Sequence, residues 1–181
     1  MTIDYKIDEN DFLTYQLYTA SKSEQTIKRR ERTKVIIPVF YLLLGFFFFW
    51  NEYSLFGVVF VILGILWFFM YPIWEKRRYI KHFKIFIKEN YKERLGKIVT
   101  LELTNGYIFA KDNGSESKVL TTELEEICEI PTTILIKLKS GQSFILPKDK
   151  ISNIDSLTSR LMALADYLKI KYEVNDKWAW K

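Results

Sequence analysis

Residues 35–74 read VIIPVFYLLLGFFFFW, then NEYS, then LFGVVFVILGILWFFMYPIW. The two apolar runs, Val35–Trp50 and Leu55–Trp74, contain no charged residue and are separated only by Asn51-Glu52-Tyr53-Ser54. The second run is 20 residues long. As a helix rising about 1.5 Å per residue it covers ~30 Å, the thickness of a bilayer's hydrocarbon core. The first run has 16 residues, or 19 if it continues through Tyr53. The pattern predicts a transmembrane helical hairpin with spans at about 35–53 and 55–74. It divides the chain into a strand and helix over 1–34, the hairpin over 35–74, and a juxtamembrane helix with a sheet domain over 75–181. The mean hydropathy of -0.05 averages an apolar hairpin with two polar flanks.

The net charge of +5 is concentrated around the hairpin. Lys22, Lys28, Arg29, Arg30, Arg32 and Lys34 precede the first span; Lys76, Arg77, Arg78, Lys81, Lys84 and Lys88 follow the second; the loop has no Lys or Arg. Positive residues stay on the cytoplasmic side, so both termini are expected inside the cell, with the loop outside, in a two-span protein of the cell membrane. Lys28, Arg29, Arg30, Arg32, Lys34, Lys76, Arg77, Arg78 and Lys81 are placed for lipid-headgroup contact, each worth about 1 kcal/mol at an anionic surface. The basic character sits beside the membrane and comes with no recognition motif, so nucleic acid is not an expected partner. Trp50 and Tyr53 at the outer end, and Tyr71 and Trp74 at the inner end, are the expected interface anchors. Gly57 and Gly64 lie seven apart on one helical face and Gly45 can oppose them, which predicts close helix packing. Pro38 and Pro72 fall near inner span ends, where a lost backbone bond costs least. The run Phe46–Trp50 reads as lipid contact.

The flanks change period. Ile3, Tyr5 and Ile7 alternate with polar residues, as in a strand, and Phe12, Tyr15 and Thr19 recur at helical spacing with Asn10 or Asp11 as cap. After Trp74, the residues Tyr79, Ile80, Phe83, Phe86, Ile87 and Tyr91 form one stripe of an amphipathic helix that Gly96 ends. That helix is suited either to the lipid surface or to docking on the following domain. Val99, Leu101 and Leu103 begin strand-like alternation, and Asn105-Gly106 is a hairpin turn. Asp112-Asn113-Gly114-Ser115 is a second turn, and strands are expected at 118–120, 124–130, 134–139 and 143–146. Ile154, Leu157, Leu161, Leu164 and Leu168 define a final amphipathic helix, with Ser152 and Asp155 as its capping pair. Ile170, Tyr172 and Val174 are spaced for an edge strand, and Trp178 and Trp180 suit either the membrane interface or the domain. The fold class read here is membrane α+β, a two-helix hairpin followed by a small antiparallel sheet capped by a helix.

A tightly turned antiparallel sheet closed by one helix resembles the bacterial pleckstrin-homology-like arrangement. With a basic two-span hairpin in front, the chain resembles the YcxB-like family of small bacterial membrane proteins. The resemblance rests on Arg29-Arg30-Glu31-Arg32, Tyr91-Lys92-Glu93, the stretch Leu124–Glu129, and Ser143–Lys148 leading into the last helix. It covers residues 3–168 and implies a fold and a topology at the bacterial inner membrane, but no catalytic residues.

No catalytic constellation is visible in the sequence. The one histidine, His82, lies among lysines, and a hydrolytic triad needs a base. The one cysteine, Cys128, falls in a strand. Glu123, Glu125, Glu126 and Glu129 are the densest acidic group, with Glu125 and Glu129 on the face of Ile127 and Glu126 with Cys128; they read as a solvated strand edge. The 7 glycines include no phosphate-cradling cluster. We therefore expect no enzyme activity, no cofactor and no metal. The expected function is a membrane-tethered interaction or scaffold module with a protein partner or self-association. The second reading is an auxiliary subunit of a transporter or secretion complex acting through its aromatic hairpin.

Overall fold

A computed structural model describes residues 1–112 and 114–180. They form two compact units, residues 1–16 with 84–179, and residues 17–83 with Trp180. Helix α1 spans Glu9–Lys22, α2 Glu24–Trp50 and α3 Ser54–Asn90. α2 starts at Ser23, whose side chain accepts from the backbone N–H of Thr26 at 3.3 Å. It ends where the N–H of Asn51 bonds the carbonyl of Phe47 and Glu52 turns to φ 64°, which reverses the chain in three residues. Both helices are long and apolar enough to cross a membrane. Only 6% of the most apolar stretch of α2 and 17% of that of α3 is buried, unlike the core helices of a globule. α2 and α3 continue past the apolar runs, so Pro38 and Pro72, near the ends of those runs, lie inside their helices.

The buried positions of the hairpin are the ones where α2 meets α3. A Cβ on Gly45 would lie 3.1 Å from the carbonyl oxygen of Gly57 and 3.1 Å from Val61 Cγ2. One on Gly57 would lie 2.8 Å from the ring of Phe49, and one on Gly64 would reach Pro38 and Tyr41 at 3.4 Å. Beside them Phe48 and Phe60 stack at 5.3 Å and 2°. The distances predict an order of cost. Gly45→Leu meets backbone that cannot step aside and should cost about 2 kcal/mol as overpacking. Gly57→Leu is cheaper because the half-exposed Phe49 ring can swing, and Gly64→Ala should be neutral, its contacts being ordinary and its helix propensity better. Melting of the purified chain in detergent should show that order; equal melting points for Gly45→Leu and Gly64→Ala would rule it out.

In the other unit, strand β1 (Thr2–Lys6) pairs antiparallel with β2 (Ile98–Leu103), Tyr5 opposite Val99. β3 (Tyr107–Lys111) and β4 (Glu116–Leu120) complete a sheet of order β1-β2-β3-β4. β5 (Leu124–Glu129), β6 (Thr133–Leu138), β7 (Ser143–Pro147) and β8 (Lys171–Val174) form a second, of order β7-β6-β5-β8. Helix α4 (Ile154–Leu168) packs on the core through Leu157, Leu161 and Leu164 against inward residues such as Leu101, Ile127 and Ile136. Lys169 ends it in the left-handed conformation, φ 55°.

The sheet departs from the sequence reading in four respects. β1 lies before the hairpin yet is hydrogen-bonded to a strand after it. β8 runs parallel to β5, because α4 carries the chain back across the sheet before β8 pairs. β5 is therefore interior rather than an edge. A register shift between Leu124 and Glu126 breaks the alternation, so Leu124 and Ile127, three apart, are both buried, while Glu125 and Glu126 both reach Lys137.

Caps moved as well. Asp8, rather than Asn10 or Asp11, caps α1: its Oδ1 accepts from the N–H of Asn10 at 2.8 Å and Asp11 at 3.0 Å, and Asp11 Oδ2 accepts from the N–H of Asp8 at 2.8 Å. α3 stops at Asn90, and Gly96 (φ 72°) instead lets the chain turn so that its N–H bonds the carbonyl of Ile7. No side chain caps α4, so the Ser152–Asp155 pair is not used. On α1 the buried residues are Asp11, Phe12, Leu13, Leu17, Tyr18 and Ala20, while Thr19 is exposed. Of the turn expected at 112–115, Asn113 lies outside the described residues; Asp112 Oδ1 accepts from the N–H groups of Gly114 at 3.0 Å and Ser115 at 2.8 Å.

Candidate functional site

A cluster of buried polar and aromatic groups lies at the end of the hairpin remote from its Asn51–Tyr53 turn. Arg30 of α2 and Glu75 of α3 pair at 2.8 Å, Nε to Oε2. The other oxygen of Glu75 accepts from the Tyr71 hydroxyl at 2.8 Å. The Glu75 side chain is 6% exposed and that of Arg30 23%. The Arg30 guanidinium also lies over the Trp180 ring at 4.7 Å and the Tyr79 ring at 6.0 Å, and those two rings are 5.3 Å apart. A carboxylate taken out of water is tolerable only when its lone pairs are occupied, and here both oxygens are.

This cluster corrects two assignments. Arg30 is held inward by Glu75 and Trp180, so it is not a headgroup contact. Tyr71, 4% exposed, spends its hydroxyl on Glu75 and is not a lipid-facing anchor. Trp50, Tyr53 and Trp74 are exposed. Trp180, left with two destinations by the sequence, packs against Tyr79 and Arg30 of the hairpin helices. Lys28, Arg29, Arg32, Lys76, Arg77, Arg78 and Lys81 are exposed. Lys34 lies over the Phe68 ring at 4.7 Å and Arg78 over Trp74 at 5.2 Å. Gly45, Gly57 and Gly64 all meet the opposite helix of the hairpin and so are not offered to a foreign one.

Beside the cluster, α2 and α3 enclose a groove of about 500 Å³. Ile37, Trp67, Tyr71 and Trp74 line one end of it and Arg29, Arg78 and His82 the other. Sequence reasoning missed the cluster because it links Arg30 to a residue 45 positions away. The usable signal was Glu75 itself, one helical turn after Tyr71 in an otherwise basic stretch. No family model, curated protein or solved structure matches this chain.

Two of the ion-pair clusters in the sheet unit hold carboxylates that are at least partly buried. Lys150 Nζ reaches Asp8 at 2.6 Å and Asp11 at 2.5 Å. Burial and the charge of Asp8 push Asp11 up; Asp8, which burial alone would also raise, is held below the usual range by Lys150 and the α1 N–H groups. On β5, Glu129 accepts from Lys148 at 2.6 Å and from the Tyr172 hydroxyl at 2.7 Å. Burial would raise the Glu129 carboxyl, but the bonds from Lys148 and Tyr172 outweigh it and leave it lowered. A carboxyl lowered on folding contributes stability above its unfolded value, ordinarily about 4.3, and loses it as pH falls through the folded value. The melting-point gap between the native chain and Glu129→Gln should therefore be constant above about pH 5 and close on further acidification. A gap independent of pH down to about 3 would refute this.

Cys128 is buried in β5, and His82 is exposed on α3. Among the described residues no group of three or more His, Cys, Asp or Glu is placed to hold a metal ion.

Proposed function

We propose that this chain is a two-span protein of the bacterial inner membrane, of the YcxB-like type, that tethers a pleckstrin-homology-like interaction domain to the cytoplasmic face and carries no catalytic activity. The observation that carries the reading is the outward exposure of α2 and α3. Leu43, Phe46, Phe69 and Met70 are each more than 60% exposed, a surface that water would not tolerate over this length. The pairing of β1 with β2 supports one side for both ends of the hairpin, because strands before and after it share a sheet. The basic flanks and the Lys-free, Arg-free loop favour the cytoplasm as that side. The exposed edge strand β4, with Leu120 58% exposed, is a suitable place for a protein segment or a second copy to add a strand.

Two experiments test this. In a Cys128→Ser background, a cysteine at Ser54 should react with a membrane-impermeant maleimide in intact cells, and one at Thr2 only after lysis; the reverse pattern overturns the topology. A photo-cross-linker at Leu120 in native membranes should capture one reproducible partner or a dimer. A chain that captures nothing and stays monomeric overturns the interaction role.

A further inference from the structure

The groove at the inner end of the hairpin changes character along its length. On α3 its lining residues Trp67, Tyr71, Trp74, Arg78 and His82 recur at intervals of four, three, four and four, one continuous helical face. On α2, Arg29, Thr33 and Ile37 do the same. Aromatic and aliphatic side chains line the part within the apolar runs, and the cations line the part beyond them. From Trp67 to Arg78 the helix rises about 16 Å, one leaflet's share of the hydrocarbon core.

The charge balance is as informative. The one acid of the lining, Glu75, is already matched by Arg30, which leaves Arg29 and Arg78 as uncompensated positive charges. Among the described residues neither has a carboxylate within salt-bridge distance, and the Arg78 guanidinium lies over the Trp74 ring at 5.2 Å. A groove with a cationic mouth and an aromatic floor is complementary to a molecule with one anionic head and an apolar tail. A free phosphate or nucleotide would leave the aromatic floor uncovered, and a neutral amphiphile would leave the arginines unanswered.

We infer that this groove retains one anionic phospholipid, with its phosphate between Arg29 and Arg78 and an acyl chain along Ile37, Trp67 and Trp74. The inference rests on the membrane reading above and adds to it a defined lipid site, distinct from the diffuse attraction of the polybasic flanks. Arginine suits the role because its planar fork can give two N–H bonds to phosphate oxygens.

Native mass spectrometry of the delipidated full-length chain, titrated with phosphatidylglycerol or phosphatidylcholine of identical acyl chains, tests it. One phosphatidylglycerol should be retained with a preference of at least about tenfold. Arg29→Gln with Arg78→Gln should abolish the preference, whereas Lys76→Gln with Lys81→Gln, which removes the same charge from exposed positions outside the groove, should leave it intact. Equal loss in both double variants would mean diffuse electrostatics and overturn the site, as would displacement of the lipid by millimolar inorganic phosphate alone. Should the arginine variant fail to fold, absence of a lipid preference in the native chain still overturns the proposal. A chain that stays dispersed and monomeric in buffer without detergent defeats the membrane reading itself, a separate and recognisable failure.

Discussion

Replacing Glu75 by alanine is expected to destabilise the hairpin by about 3 kcal/mol. Its two oxygens hold Arg30 at 2.8 Å and the Tyr71 hydroxyl at 2.8 Å, and it is almost wholly buried. Alanine takes away the carboxylate from a guanidinium only 23% exposed and removes the acceptor of the buried Tyr71 hydroxyl. Partial exposure of Arg30 keeps the figure at the low end of what breaking a buried pair costs. Removing both partners should be milder: Arg30→Met with Glu75→Leu is expected to recover the part of the loss due to the unpaired charge, while the Tyr71 hydroxyl still lacks its acceptor. Equilibrium unfolding in mixed micelles, run as a double-mutant cycle, reads both values. A single-variant cost below about 0.5 kcal/mol would show that the pair is ornamental.

Leu161→Ala is the second large effect, at about 3 kcal/mol. Leu161 is fully buried on the inner face of α4, among Leu157, Leu164 and the inward residues of both sheets. Truncation removes the transfer free energy of its methyl groups and leaves a cavity that two hydrogen-bonded sheets can collapse into only partly. Met162, the next residue and 41% exposed, provides the control; its alanine variant should stay within about 0.5 kcal/mol. Hydrogen exchange of the β5 and β6 amides in the full-length chain separates the two cases, because the loss should appear there and not in α2. A cost at Leu161 no larger than at Met162 would mean that α4 does not close the core.

Much of this architecture is legible in the residues. The two apolar runs announce α2 and α3, and the steps of three and four from Ile154 to Leu168 mark the buried stripe of α4. Alternation and the turn at Asn105-Gly106 locate β2 and β3 within a residue or two. Each of these signals is local: a period or a turn residue reports the environment of its own segment. Caps were read less well. Asp8 lies one position before the helix it caps, and the acidic residues at 8, 9 and 11 with Asn10 offer several equivalent oxygens that only backbone geometry ranks. The bulge in β5 escaped for a related reason. Alternation presumes an unbroken register, and nothing in Leu124–Glu129 marks the extra residue.

The amino-acid sequence by itself determined which segments are helix and strand, which surfaces are too apolar for water, and where the positive charge gathers, because these are properties of consecutive residues. The tertiary structure alone decided that β1 joins β2 across the intervening hairpin, that β8 enters its sheet parallel, and that Arg30, Tyr71, Glu75 and Trp180 share one buried cluster. Those are pairings between residues tens of positions apart. Hydrogen-bond saturation and charge burial select them only once the chain has closed on itself, and no local period records them.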